Sequence, residues 1–360
     1  MYRQEKLGKE INMPSKKVCF VLNNAPDYRE GFLTSLSNKY ELSVIAEKNS
    51  ISGLSDPVHR LGYSYREYMP FLFMGFRLAP LGLLRYLKNM DAVILAYNPR
   101  NIVFLILSVL LKRFFKFRLI WWGQINGRNT SILIEKMRLY LLSKGDYILV
   151  YNEDIRISLS AKVSIPIVSF NNSHVNQNDI HPLKNKIDST LNLLFVGRNQ
   201  PRKKLERLIL IAKKNAFVRI RVVGPNMVEF KEILLNSGLG NIEVFGKTDS
   251  ESLKDHMTWA NACINPGHAG LFVMTSAQFG LPLIVDSSSE HAPEIILARE
   301  AKQYFVDFTD EESVNILLRE IKGGERNIQE DGLRFARLLK ESYTIENMVS
   351  KHLDVLREIT

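Results

Sequence analysis

The strongest constraint on this chain is a rhythm that occurs twice. Short apolar runs rich in β-branched and aromatic residues alternate with longer stretches that suit helices. In the first half the runs fall at 17–23 (KVCFVLN), 42–46, 91–97 (DAVILAY), 117–122 and 146–151 (DYILVY), with a further candidate at 58–63. Helices are expected up to residue 36 and over 69–87, 102–115 and 132–143. In the second half strands are expected at 191–197, 220–223, 242–245, 262–265 and 283–285. The helices between and after them are 205–213, 228–236, 251–259, 271–279, 313–322, 327–339 and 345–359. Strands that are apolar throughout are buried on both faces, which a parallel sheet covered by helices provides. Residues 165–185 hold two prolines and many Asn, Ser and His, a linker composition. The predicted fold class is therefore α/β, with two Rossmann-like doubly wound domains facing each other across a cleft. The C-terminal ends of both strand sets would meet there, and ligands bind at that edge of open α/β sheets.

Composition narrows the partners. A chain of 360 residues is about two domains long. Cys19 and Cys263 both lie in apolar runs and read as reduced core thiols of a cytoplasmic protein. The start, MYRQEKLGKEINMPSKK, lacks the apolar run of a signal peptide, and the longest apolar stretch, 102–111, is too short to cross a bilayer. A formal net charge of +10 calls for an anionic partner. Between Asp91 and Glu135 there is no acidic residue, while Arg100, Lys112, Arg113, Lys116, Arg118 and Arg128 lie among Phe114, Phe115 and Phe117. Such a surface suits peripheral contact with an anionic membrane, on the inner face of the cell membrane. The alternative is a solvated helix end with the phenylalanines in the core. Nucleic acid is disfavoured, because no RNP, zinc-finger or helix-turn-helix pattern accompanies the charge.

Two stretches carry chemistry. Residues 261–294 (NACINPGHAGLFVMTSAQFGLPLIVDSSSEHAPE) read as strand, glycine loop, helix, strand. Free amides ahead of a helix, with its dipole, favour a phosphate. The other reading is a tight turn without a ligand. Residues 195–205 (FVGRNQPRKKL) end the first strand of the second domain. Gly197 permits a close turn, and Arg198 and Lys203 can clamp a diphosphate. Alone, the stretch also reads as a solvated basic loop. No D-x-D triplet occurs, so no metal or other cofactor is expected.

FVGRNQPRKKLERLI resembles the phosphate-clamping motif of retaining glycosyltransferases of family 4, which have the GT-B fold. PGHAGLFVMTSAQFGLPLI resembles their donor loop and helix. WWGQINGRN, the later GDYILVYNE and the opening NNAPDYREGFLTSL are similar to their first domain. The resemblance implies transfer of a sugar, hexosyl or N-acetylhexosaminyl, from a nucleotide diphosphate sugar to a glycan or polyprenyl-linked acceptor in bacterial surface polysaccharide synthesis. It implies an acceptor-binding domain over 1–172, a donor-binding domain over 173–340 and a final helix, 341–360, returning to the first domain. Arg198 and Lys203 match the diphosphate-binding positions; Gly197, His268, Gly270, Leu271 and Thr275 fall to the donor. The family's usual glutamate pair is replaced by Gly267 and Thr275, as in a bacterial variant lacking it. Glu294 is a candidate replacement carboxylate, or else a glutamate favoured by a helix N-terminus. His268 either touches the donor or is an exposed loop histidine. Gln124, which stands where the family often has histidine, is assigned to the acceptor with Asn126 and Arg128. The alternatives are a catalytically inactive nucleotide-sugar-binding subunit and a GT-B-fold sugar-nucleotide epimerase.

Overall fold

A computed structural model of the chain describes residues 16–48, 62–73, 76–125, 131–184 and 186–359. In the first lobe the strands are β1 (Lys17–Leu22), β2 (Glu41–Glu47), β3 (Ser64–Tyr68), the short pair β4 (Phe71–Phe73) and β5 (Phe76–Leu78), then β6 (Ala92–Ala96), β7 (Arg118–Gly123), β8 (Tyr147–Val150) and β9 (Ile167–Ser169). Its helices are α1 (Glu30–Ser37), α2 (Ile102–Phe115), α3 (Ile132–Leu142) and α4 (Glu153–Ser160). All but the β4–β5 hairpin form one parallel sheet in the order β3-β2-β1-β6-β7-β8-β9.

The second lobe repeats the plan with β10 (Leu191–Val196), β11 (Val218–Val223), β12 (Ile242–Phe245), β13 (Ala262–Asn265), β14 (Leu283–Asp286) and β15 (Tyr304–Val306). The helices are α5 (Glu206–Lys214), α6 (Val228–Ser237), α7 (Ser250–Trp259), α8 (Phe272–Gln278), α9 (Ile295–Glu300), α10 (Glu311–Gly323), α11 (Ile328–Ser342) and α12 (Ile345–Ile359). The parallel order is β12-β11-β10-β13-β14-β15. In each sheet the order reverses beside the first strand, between β1 and β6 and between β10 and β13, which opens a crevice at the strand ends.

Local chemistry fixes many boundaries. Ser131, Asn152, Asp249, Asp310 and Asn327 each cap a helix by accepting an amide three residues on. Gly238 and Gly324 end α6 and α10 in the left-handed conformation that favours glycine. Residues 69–87 do not form the expected helix. Pro80, in the interior of the run, forbids a continuous helix, and a hairpin and a 3-10 turn over Leu81–Leu87 form instead. The candidate strand at 58–63 lies mostly outside the described residues, and the third strand of the sheet begins at Ser64. The expected linker contains a strand, β9, on the edge of the first sheet. Three further elements lie outside the sequence expectations, α4, α9 and β15.

Helix α12 packs against the first lobe. Ile345, Met348, Val355 and Leu356 join Phe32 and Leu36 of α1 in the core beneath β1. His352 is fully buried there, and burial lowers its pKa to about 3. Its Nδ1–H donates to the Met348 carbonyl at 2.7 Å, leaving Nε2 to accept from Trp122 Nε1 at 3.0 Å. A neutral imidazole thus ties the end of the chain to β7.

Candidate functional site

The second lobe binds its two motifs to one another through the backbone. Gly197 follows β10 and donates its amide to Val223 at 2.9 Å. Gly224, after β11, has φ +153° and lies so near that a Cβ there would stand 1.9 Å from the Gly197 carbonyl oxygen. The chain then makes a 3-10 turn, Pro201–Lys203. The His268 amide donates to the Arg202 carbonyl at 2.8 Å, and Lys203 Nζ donates to the His268 carbonyl at 2.7 Å. Arg207 Nη1 donates to the Pro266 carbonyl at 3.0 Å. The basic turn and the glycine loop are therefore one unit.

This contact explains the glycine at 267. A Cβ there would lie 2.4 Å from the Arg202 carbonyl oxygen and 2.7 Å from the Lys203 carbonyl carbon, both backbone. A glutamate, which the resemblance places at this position, does not fit.

Lys203 is 8% exposed, and burial, followed by the charges of Arg202 and Arg198, lowers its pKa to about 8. Three cations thus share one electric field at the start of α5. Ahead of α8, the Gly270 and Leu271 amides have no protein acceptor among the described residues. The Ala269 amide, by contrast, donates to His291 Nδ1 at 3.1 Å, and His291 Nε2–H donates to the Asp286 carbonyl at 2.8 Å. Burial lowers the His291 pKa and favours this neutral tautomer. His268 is partly buried; its Nδ1–H donates to the Glu290 carbonyl at 2.8 Å, and burial brings its pKa to about 4. It is held in the loop rather than freely exposed.

Asp286, at the end of β14, anchors this assembly. It is fully buried, accepts from Arg207 at 2.7 Å and Lys204 at 3.3 Å, and also takes the Ser288 and Ser289 hydroxyls and the Phe308 amide. Burial alone would raise its pKa, but these hydrogen bonds outweigh burial and hold it well below the carboxylate range. Sequence reading passed over Asp286. A single Asp after an apolar strand was its only signal.

Thr275, on α8, faces the linker: its Oγ1 lies 3.1 Å from His174 Nε2. The His174 pKa is brought to about 4, chiefly by burial, and its Nδ1 has no protein partner.

Glu294 lies between the lobes. It is 6% exposed, and its Oε1 accepts from Asn172 Nδ2 at 2.5 Å. Asn172 Oδ1 accepts from Arg29 Nη1 at 2.5 Å, and the Arg29 guanidinium lies 4.9 Å from the Trp122 ring centroid. Burial raises the Glu294 pKa, with Asn172 and Arg29 opposing. The carboxylate is held in a hydrogen-bonded bridge between the lobes. Nearby, Asn152 Nδ2 donates to the Pro293 carbonyl at 3.0 Å.

In the first lobe a cavity of about 350 Å³ opens at the ends of β1, β6 and β7. Asn23, Tyr97, Asn98, Trp122, Gln124 and Arg138 line it. Asn126 and Arg128 lie outside the described residues. Among the described residues no group of three or more His, Cys, Asp or Glu is placed to hold a metal ion. Also among them, no helix is long and apolar enough to cross a membrane. The phenylalanines of the basic stretch divide: Phe117 is buried, whereas Phe114 is 77% exposed.

Two parallel α/β sheets with reversing strand order, joined by a linker and an α12 crossover, form the GT-B fold. Residues 176–330, most of the second lobe, match the family described as glycosyl transferases group 1. No curated protein matches the sequence. Among solved structures, a glycosyltransferase from Rickettsia africae is similar at TM-score 0.73 and 13% identity, covering 96% of this chain and 99% of its own. HepE from Anabaena, crystallised with UDP, is similar at TM-score 0.70 and 11% identity, covering 95% and 100%. Sucrose-phosphate synthase from Thermosynechococcus elongatus is similar at TM-score 0.67 and 13% identity, covering 96% and 99%. These likenesses establish the fold, and the family match over the second lobe supports glycosyl transfer from a nucleotide sugar.

Proposed function

We propose that the protein is a retaining glycosyltransferase of the family 4 type, a variant without the glutamate pair. It moves a hexosyl or N-acetylhexosaminyl group from a nucleotide diphosphate sugar to a glycan or lipid-linked acceptor in bacterial surface polysaccharide synthesis. The observation that carries this reading is the lacing of the Pro201–Lys203 turn to the 266–270 loop. It gathers Lys203, the neighbouring Arg198 and the amides of Gly270 and Leu271 on one lobe, a set of donors suited to a departing diphosphate. In the transfer the anomeric carbon loses its bond to the diphosphate oxygen and gains one to the acceptor oxygen on the same face. The acceptor's proton passes to the departing phosphate. The work asked of the protein is stabilisation of charge on that leaving group. Arg198 and Lys203 do this without a metal, Gly197 lets the turn approach, and His268 and Thr275 border the sugar and ribose. Gln124 faces the acceptor from the first lobe.

Membrane contact fits the same reading. Helix α2 exposes Val103, Ile106, Leu110 and Phe114, and Lys112, Arg113 and Lys116 lie at its end. An apolar face rimmed by cations suits an anionic leaflet, at the cytoplasmic side where nucleotide sugars are made.

A thermal-shift series with nucleotide diphosphates and their sugars tests the donor. Uridine compounds come first, since HepE was crystallised with UDP. A ligand of the folded state raises its apparent stability. Arg198→Ala is expected to keep the parent's melting temperature, lose that shift and lower transfer by about 10²–10³-fold. Near-normal turnover in this variant would reject the role. Binding without any transfer would favour an inactive binding subunit, and product without an acceptor would favour an epimerase.

A further inference from the structure

We propose that the first-lobe cavity receives a phosphate carried by the acceptor, with Arg138 as the residue that reads it and the exposed face of α3 as the bed for the acceptor's apolar tail. This rests on the glycosyltransferase reading and narrows its acceptor to a lipid phosphate-linked saccharide.

Arg138 is the one charged residue among the described residues lining the cavity, and it is 8% exposed. Its guanidinium is incompletely satisfied. Nη1 reaches the Ile125 carbonyl at 3.3 Å and Nη2 reaches Glu135 at 3.5 Å, both long, while Nε is buried with no acceptor. Glu135 is shared with Lys162 at 2.9 Å, so one carboxylate serves two cations. A buried N–H without a partner is costly and calls for an explanation. A planar fork of this kind matches the oxygens of a phosphate. The remaining lining suits a sugar ring: amides from Asn23, Asn98 and Gln124, and faces of Tyr97 and Trp122.

The tail has a place to go. Ile134 lines the cavity and is also 45% exposed, so the cavity wall runs on into solvent. The same helix exposes Ile132 and Leu133, each at 76%, and Met137 at 48%. A large apolar face continuous with a ligand cavity marks an apolar ligand or surface. An oxyanion donor set and an apolar strip meeting at one residue fit an amphiphile with a phosphate between sugar and chain.

Calorimetric titration of the full chain with decyl phosphate, decyl glucoside and inorganic phosphate, each kept below any micelle threshold, tests this. Decyl phosphate is expected to bind about 10- to 100-fold more tightly than decyl glucoside, the range for a hydrogen-bonded charge. Arg138→Gln is expected to erase that preference, and Arg138→Lys, which keeps the charge but not the fork, to reduce it several-fold. Leu133→Ser is expected to weaken both alkyl probes together. Inorganic phosphate is expected to bind weakly and to compete only with decyl phosphate. Equal affinity for the two alkyl probes, or a preference surviving in both Arg138 variants, would overturn the proposal. UDP binding, followed in parallel, is expected to be unchanged by these variants. Its absence while the decyl phosphate preference persists would fault the donor reading instead.

Discussion

Lys203 sits where burial and charge oppose each other. Its pKa of about 8 in the free protein means that much of the population is neutral at pH 9. A diphosphate beside it would favour the ammonium and raise that pKa, so binding at pH 9 takes up a proton. Near pH 6 the group is already charged and adds no uptake. Calorimetry of UDP binding in buffers of differing ionisation enthalpy is expected to show this at pH 9 in the parent and not in Lys203→Met. Gly267 gives a second test at this scale. Gly267→Glu installs the carboxylate that the family usually has, yet its Cβ meets backbone at 2.4 Å. The variant is expected to lose about 1–3 kcal/mol of stability in denaturant titration, the cost of overpacking, and to lose nucleotide-induced stabilisation. A gain in transfer would contradict the steric account. The basic residues and the glycines of this site were legible from their types and spacing. The contact that placed them together, a lysine donating to a carbonyl 65 residues away, was not.

At the scale of elements, the glycine loop is held by the segment after β14. Asp286 joins Lys204, at the end of the basic turn, and Arg207 of α5 to the turn at 287–289 and to Phe308 beyond β15. Asp286→Asn leaves two cations around a neutral amide in a buried site. Breaking one partner of such a network typically costs about 3–5 kcal/mol. Denaturant melts are expected to show a loss on that order at pH 7. The sign with pH comes from its lowered pKa. The stability from Asp286 is present above the ordinary carboxylate pKa and is lost only as pH falls towards the depressed value. The gap between parent and variant should therefore narrow in acid. Element types were read well where periodicity was sustained, as in α2 and α12. They failed over 69–87, where a nearly all-apolar run carries no period and Pro80 in its interior forbids a continuous helix.

Across the whole molecule, the two lobes are joined by polar contacts as well as by the α12 crossover. Arg29, Asn172 and Glu294 form one chain of hydrogen bonds, Asn152 reaches Pro293, and His174 meets Thr275. Relative motion of the lobes has to break or rearrange such links. Glu294→Gln separates the two roles considered for this residue. The amide still offers Asn172 an acceptor and removes the cost of a buried charge. Because the folded pKa of Glu294 is raised, the stability it gives is lost as pH rises past the ordinary carboxylate value. The variant is expected to melt at or above the parent's temperature at pH 7, with the difference vanishing below about pH 4, where glutamate is protonated in both states. Transfer is expected to stay within about tenfold of the parent; its abolition in a folded protein would restore Glu294 as a catalytic carboxylate.

The sequence by itself determined the class of fold, because burial on both faces of a parallel strand leaves a continuous apolar run that one dimension can record. It also marked the basic turn and the glycine loop that the fold brings together. Only the tertiary structure decided that Gly267 has no room for a side chain, that Asp286 anchors the loop, and that Glu294 bridges the lobes. Each depends on backbone from distant segments arriving within a few ångströms, and nothing local in the chain encodes that approach.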